Sequence, residues 1–476
     1  MTPDEFRKSG HELIELIAAY RENSESMPVR SQAAVGDVLA QLSTSAPDTP
    51  DKPSHLIADI HSYVIPNLTH WQHPSFFAYF PANADLSGVL GDLLSSGLGQ
   101  LGLNWQASPP LTEFEERTCD WLRQMLGLSD HWDGVIQDTA STATLVALLC
   151  AREKSSGFAQ MRDGFRDGPE LVVYSSEQGH SSIRKAALLA GFGHNSVRAC
   201  AVNPDFSINI DMLRQSLTVD KADGKKPCAI VACTGTTATT AMDDIDAIAA
   251  LCEEFDCWLH VDGAMAGSAM ILPEMRHLWN GVEKADSIVF NPHKWLGVVF
   301  DCSVYFVRDS EHLERVMSTN PSYLRTSADG QAPNFRDWGI PLGRRFRSLK
   351  IWWMLRCEGV QRLQQRLRRD LENARWLERK ITEAPDWRLL APVALQTLCV
   401  VHEPPGLSPE QMDTYTQRWC EAINRSGHAM LTPAMVTDPG SFTGTERWMV
   451  RISIGALNTE RHHVERLWKT MQDATE

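Results

Sequence analysis

The chain has 476 residues, 43% of them hydrophobic and 22% charged, a balance typical of a soluble globular protein and not of a disordered, collagen-like or disulfide-stapled chain. Its length predicts about three structural units and a core large enough to need neither metal nor disulfide for stability. Against 45 basic residues stand 60 acidic ones, a net charge of −15. That charge repels phosphate backbones and argues against nucleic acid as the partner.

In chain order, "MTPDEFRKSGHELIEL" opens a helix. Thr2 caps it, Pro3 suits its first position and Glu5 completes a capping box. Phe6, Leu13, Ile17 and Tyr20 recur at helical spacing to about residue 20. The basic-then-apolar order of a signal peptide is absent, and no run of 18 apolar residues occurs. The expectation is a cytoplasmic protein with no membrane contact.

"STSAPDTPDKP" (43–53) reads as a linker, and further helical turns lead to the aromatic "HWQHPSFFAYFPANAD". From about 85 to 310, helical patterns alternate with short apolar runs. These are "LVVY" (171–174), "CAIVAC" (228–233), "WLHV" (258–261), "SIVF" (287–290) and "SVYFV" (303–307). Such alternation predicts an α/β fold, a mostly parallel central sheet with helices on both faces. Residues 318–338 lack either periodicity and read as a long functional loop. A helix near 344–370 and an α+β tail follow. The expected units are an N-terminal helical arm (1–84), a large domain (85–360) and a small C-terminal domain (361–476).

Several motifs carry only dull readings. Gly97, Gly99 and Gly102 spell GxGxxG, but the leucines before them have helical spacing, whereas a dinucleotide site needs a preceding strand. Arg344, Arg345 and Arg347, then Arg362, Arg366, Arg368 and Arg369, form a basic stretch, and most arginines of the second group fall opposite Leu363 and Leu367, on an expected solvated face. Sixteen histidines form no HExxH or Cys/His ligand spacing, so no metal is expected. Eleven cysteines without a CxxC pair read as buried free thiols.

The chemistry collects at the carboxyl ends of the predicted strands, where open α/β sheets bind ligands. Asp262 follows "WLHV", and Lys294 follows "SIVFNPH". An ammonium among apolar residues is costly unless it pairs or reacts, and such lysines form imines with carbonyl compounds. Thr139, Ala140 and Ser141 open a helix, an arrangement that cradles phosphate as readily as it caps. Cradle, carboxylate and lysine together are what pyridoxal phosphate requires. They supply an anchor, a partner that keeps the pyridine nitrogen protonated, and an amine to hold the cofactor as an imine.

At these residues the chain resembles the group II pyridoxal-phosphate decarboxylases, specifically the aromatic-L-amino-acid decarboxylases, with the bacterial dihydroxyphenylalanine enzymes especially similar. The motifs run from "HWQHPSFFAYFP" through "GVIQDTASTATLVALL", "GHSSIRKAALLAG", "WLHVDGAMAGSAMILPE" and "NPHKWLG" to "NPSYL" and "IPLGRRFRSLK". The resemblance implies a fold-type-I enzyme acting as a homodimer with shared active sites. In it Lys294 binds the cofactor, Asp262 pairs with the pyridinium and His180 stacks on the ring and handles protons. Ala140, Ser141, Asn291 and His293 contact the phosphate region, and Thr237 and Ala264 lie near the ring.

Tyr323, on the long loop, would protonate the carbanion after CO₂ leaves. Trp71, Tyr79, Phe80 and Ala82, together with Phe300 from the partner subunit, would line the substrate pocket. Gly343 stands where histidine decarboxylases and some phenol-specific relatives have serine, leaving room for a catechol or indole. Ala82, where many relatives have Thr or Ser, and Met265, often aromatic or polar in relatives, depart from the pattern. The implied reaction is decarboxylation of an aromatic L-amino acid to its arylalkylamine. Dihydroxyphenylalanine ranks first, then tryptophan and 5-hydroxytryptophan. An aromatic aldehyde synthase is the alternative, although such relatives typically replace His180 or Tyr323.

Overall fold

The computed structural model describes residues 1–165, 168–319, 321–438 and 446–475. Its first helix, Pro3–Asn23, starts where the sequence predicts. Glu5 N–H donates to Thr2 Oγ1 and Thr2 N–H to Glu5 Oε2, both arms of the capping box. No residue of this helix is buried. "GLGQLG" closes the helix Leu86–Leu98, with Gly99 as its left-handed cap at φ +62°. This is the opposite polarity to a dinucleotide-binding turn, which opens a helix.

Seven strands build the large sheet: β1 (Asp133–Gln137), β2 (Leu171–Ser176), β3 (Val197–Cys200), β4 (Lys226–Cys233), β5 (Trp258–Asp262), β6 (Ser287–Phe290) and β7 (Ser303–Val307). Their order is β1-β7-β6-β5-β4-β2-β3, and only β7 runs against the rest. The five predicted strands are present. The sequence reading missed the two at the sheet edges, β1 with its leading Asp-Gly and β3 with Arg198 in four residues. Neither carries the continuous apolar run of a strand buried on both faces.

Alternate side chains enter opposite layers. Tyr174, Ile230, Leu259 and Val261 pack into one core cluster, while Val173, Ala229, Val231 and Trp258 pack into the other. This period-2 division is what a sheet covered by helices on both faces requires.

The long helix Ser348–Glu383 is interrupted only at Gly359, where φ +68° and ψ 155° leave the helical region. A four-stranded antiparallel sheet follows, made of β8 (Trp387–Leu389), β9 (Thr397–His402), β10 (Thr432–Thr437) and β11 (Glu446–Ser453) in the order β10-β11-β9-β8. Helices Pro409–Ser426 and Arg461–Asp473 complete its own core with Trp419, Ile423 and Leu467.

Several arginines of the basic stretch are held by partners, and one of the second group is less solvated than its spacing suggests. Arg344 forks onto buried Glu115, Arg347 pairs with Asp301, and Arg366 donates to the carbonyls of Trp295 and Leu296 at 2.6 and 2.8 Å. Arg366 therefore braces the turn beside Lys294, a correction to its expected place on a solvated face. Amphipathic spacing misled because a second element covers that face. All eleven cysteines are free, and ten are buried. Among the described residues no helix is long and apolar enough to cross a membrane.

Candidate active site

Because β1, β2, β4, β5 and β6 run the same way, the turns after them share one edge of the sheet. There they wall a cavity of about 260 Å³. All nine residues assigned to the cofactor line it: Ala140, Ser141, His180, Thr237, Asp262, Ala264, Asn291, His293 and Lys294.

Lys294 follows β6 through Asn291 and Pro292, and its own backbone (φ −97°, ψ −109°) breaks the short helical turn Pro292–Leu296. Burial pushes its ammonium pKa below the ordinary lysine value. Asp262 opposes that shift and the positive charge of Arg451 adds to it. Asp262 ends β5, and Ala264 N–H donates to its Oδ1 at 3.0 Å, fixing the carboxylate at the cavity wall.

His180 caps the helix Ser181–Leu189. Its Nδ1 accepts from Ser182 N–H at 3.2 Å and lies 2.7 Å from Ser182 Oγ. An accepting Nδ1 makes the ring neutral with its proton on Nε2. Burial lowers its pKa as well, with Lys294 adding to the shift and Asp262 opposing it. His293 is held likewise, with Nδ1 accepting from Cys302 N–H at 2.9 Å. Its pKa is pushed down to about 4 by burial and then by Lys294.

Pyridoxal phosphate suits these residues. Thr139 is the N-cap of the helix Ala140–Ser156, whose first-turn N–H groups have no intrahelical acceptor and favour an anion. Across the cavity, the buried Asn291 amide oxygen has no hydrogen-bond partner among the described residues, an unsatisfied group that calls for a ligand or water. When bound, the cofactor supplies the electron sink.

A second cavity of about 540 Å³ shares Phe80, His180, Thr237, His293 and Lys294 with the first. Trp71, Tyr79, Ala82 and Phe300 also line it, and the Trp71 and Tyr79 rings stack at 5.5 Å. Phe300 comes from the same chain as Lys294, with its ring 4.9 Å from that of His293. The chain's own Phe300 thus stands at the wall where the resemblance implied the partner's. Tyr323 and Gly343 line neither cavity. Tyr323 is 77% exposed in the turn Ser322–Leu324, and Gly343 sits against Leu101.

The model of the pyridoxal-dependent decarboxylase conserved domain matches residues 36–401. The chain belongs to this family. It is thus a pyridoxal-phosphate-dependent carboxy-lyase. It is 36% identical to tryptophan decarboxylase 2 of Oryza sativa subsp. japonica, covering 99% of this chain and 95% of that one. To phenylacetaldehyde synthase of a Rosa hybrid cultivar it is 37% identical, over 99% and 94%. The crystal structure of Oryza sativa TDC with PLP and tryptamine superposes with a TM-score of 0.95 at 33% identity, covering 100% of this chain and 98% of that one. Decarboxylases and an aldehyde synthase are thus about equally similar to this decarboxylase-family chain.

Two residues escaped the sequence reading. Asn83 donates through Nδ2 to the carbonyls of Lys294 and Gly455 at 3.2 and 2.8 Å, tying the lysine turn to the chain after β11. Arg451 lines the second cavity from β11, and an arginine inside the apolar "WMVRISI" was its available signal. Far from the site, Glu25, His462 and His463 bring ligand atoms within 4.8 Å of one another, a grouping invisible to linear spacing. Glu25 Oε1 there already pairs with His463 and Arg466.

Proposed function

We propose that the protein decarboxylates an aromatic L-amino acid to the arylalkylamine and CO₂, with dihydroxyphenylalanine preferred, then tryptophan and 5-hydroxytryptophan. The observation that carries this reading is the junction of the two cavities at Lys294 and Phe80. An amino acid whose nitrogen reaches the lysine has its side chain among Trp71, Tyr79 and Phe300, a wall suited to a flat ring. Gln178 and Thr432 on the same wall offer polar partners to ring hydroxyls.

His180, neutral and fixed by Ser182, presents Nε2–H without competing for the substrate's proton. Tyr323 delivers the proton to Cα once its loop closes over the cavity, and closure excludes water. The presence of both residues supports simple decarboxylation over oxidative conversion to an aldehyde. A homodimer brings Tyr323 and Gly343 to the neighbouring cavity. The reduced cysteines suit the cytoplasm.

The test is a competition assay. Holoenzyme receives equimolar dihydroxyphenylalanine, tryptophan, 5-hydroxytryptophan, tyrosine, phenylalanine, histidine and glutamate, with products identified by mass spectrometry and Lys294→Ala as the inactive control. One dominant arylalkylamine supports the proposal. Aldehyde with peroxide, or decarboxylation of histidine or glutamate, overturns it.

A further inference from the structure

One buried charge has no part in the reading above. Arg451 on β11 is 3% exposed, between the fully buried Val450 and Ile452. Its guanidinium carbon lies 4.1 Å from the centroid of the Phe80 ring, and Lys294 Nζ lies 5.4 Å from the same centroid. Nη1 donates to the Tyr79 carbonyl. Nε and Nη2 have no hydrogen-bond partner among the described residues.

Of the other buried arginines, Arg344 forks onto Glu115, and Arg336, whose Nε and Nη2 likewise lack a hydrogen-bond partner, has the Asp337 carboxylate 3.3 Å away; among the described residues no carboxylate pairs with Arg451. A buried guanidinium without an anion is costly, and two unused donors on one planar fork fit a single carboxylate bidentately. The anion is not the cofactor's phosphate, because the Ala140–Ser141 cradle belongs to the other cavity, which Arg451 does not line.

We propose that Arg451 receives the α-carboxylate of the amino-acid substrate through Nε and Nη2. The inference rests on the aromatic amino-acid reading above and adds the third point of attachment. With the nitrogen at Lys294 and the ring among Trp71, Tyr79 and Phe300, holding the carboxylate at Arg451 decides which Cα bond faces the electron sink. It also selects the L over the D enantiomer. Once CO₂ has left, the amine has lost this contact and is held more weakly than the substrate.

The test compares two ligands that divide the substrate between them. 3-(3,4-Dihydroxyphenyl)propionate keeps ring and carboxylate, and dopamine keeps ring and amine. Their binding to wild-type, Arg451→Met and Arg451→Lys holoenzyme is measured by calorimetry and as competitive inhibition. In Arg451→Met the acid should bind about tenfold more weakly or worse, the size of a lost charge-assisted hydrogen-bond pair. KM for the amino acid should rise with it, while dopamine stays within about twofold. Arg451→Lys should recover part of the acid's affinity.

Acid and amine weakening together in both folded variants, or neither weakening, overturns the role of Arg451. If Arg451→Met fails to fold, the comparison in Arg451→Lys decides in the same way. A wild-type enzyme that binds neither ligand and turns over no aromatic amino acid overturns the underlying reading instead.

Discussion

Asn83 offers the sharpest test of how the lysine turn is held. The residue is 1% exposed, and its single amide nitrogen serves two backbone carbonyls, those of Lys294 and Gly455. Two residues on, Asp85 N–H donates to the Gly297 carbonyl at 3.0 Å, so this stretch clamps the lysine turn at both ends. Asn83→Ala removes two buried hydrogen bonds at about 1 kcal/mol each, and with the small void it leaves should cost about 2–3 kcal/mol. Asn83→Asp should cost about 3–5 kcal/mol at pH 8, since it puts a buried carboxylate against two carbonyl oxygens.

The two variants then separate by pH. The introduced carboxyl is held protonated in the folded state, so its folded pKa lies above the unfolded value of about 3.9. For such an acid, stability falls as pH rises from the unfolded pKa through the folded one. The Asn83→Asp deficit therefore shrinks at pH 5.5, where the protonated carboxyl donates one hydrogen bond again, while the Asn83→Ala deficit stays constant. Urea unfolding at both pH values with saturating cofactor measures the deficits, and titration of cofactor absorbance reports the displaced lysine. An Asn83→Ala protein within about 0.5 kcal/mol of wild type, or an Asn83→Asp deficit that does not change with pH, refutes the argument.

Tyr323→Phe should divert product from amine towards aldehyde, read by mass spectrometry. Unchanged product would remove the phenol from the protonation step. Gly343→Ser places its Cβ 3.1 Å from Leu101 Cδ1, a contact that a flexible leucine end can absorb. The fold should tolerate it, and kcat/KM should drop more for tryptophan than for tyrosine; an equal drop would place Gly343 outside the ring pocket. His293 is a base whose folded pKa, about 4, lies below the ordinary 6.5. The unfolded chain thus binds the extra proton first, and stability drains away as pH falls from about 6.5 towards 4. Between pH 7.5 and 5 this one group contributes about 2 kcal/mol of that loss. Unfolding of His293→Gln should show a slope shallower by that amount, while His260 and His73, also held near 4, keep the rest. An unaltered slope would show that His293 is protonated in the fold.

The cofactor half of the site was legible because strand-end chemistry is written locally. Asp262 and Lys294 each follow an apolar run directly, and Ala140–Ser141 open a helix. What stayed hidden depends on pairing across the chain. Arg451 and Asn83 lie far from Lys294 in sequence, and neither belongs to a local motif. Arg366 sat on the expected solvent face of a helix until the Trp295–Leu296 turn covered it. Strands β1 and β3 lie at sheet edges, where burial is one-sided and the apolar run is broken.

The helix Leu86–Leu98 is built inside out for a lone chain. Its small face packs inward: a Cβ on Gly91 would stand 2.8 Å from Lys350 Cα, so only glycine permits that approach. Its leucine face, with Leu86, Leu90, Leu93 and Leu94, is exposed, as are Leu98 at its end, Leu101 just after it, and Ile340 and Leu342 just before Gly343. A surface helix normally turns its apolar stripe to the core, and contiguous exposed leucines mark a contact surface. The occupant proposed is a second copy of this chain. Gly343 lies against Leu101 just after the helix, so a two-fold contact here carries Gly343 towards the neighbouring cavity and buries the leucine face on both copies at once. Leu90→Glu with Leu94→Glu should therefore give a folded monomer by sedimentation velocity, with cofactor absorbance retained and turnover lost. A monomeric wild type with full activity would refute the shared site. A dimer that survives both charges would move the interface elsewhere, leaving the inward glycine and outward leucines of this helix without a physical reason.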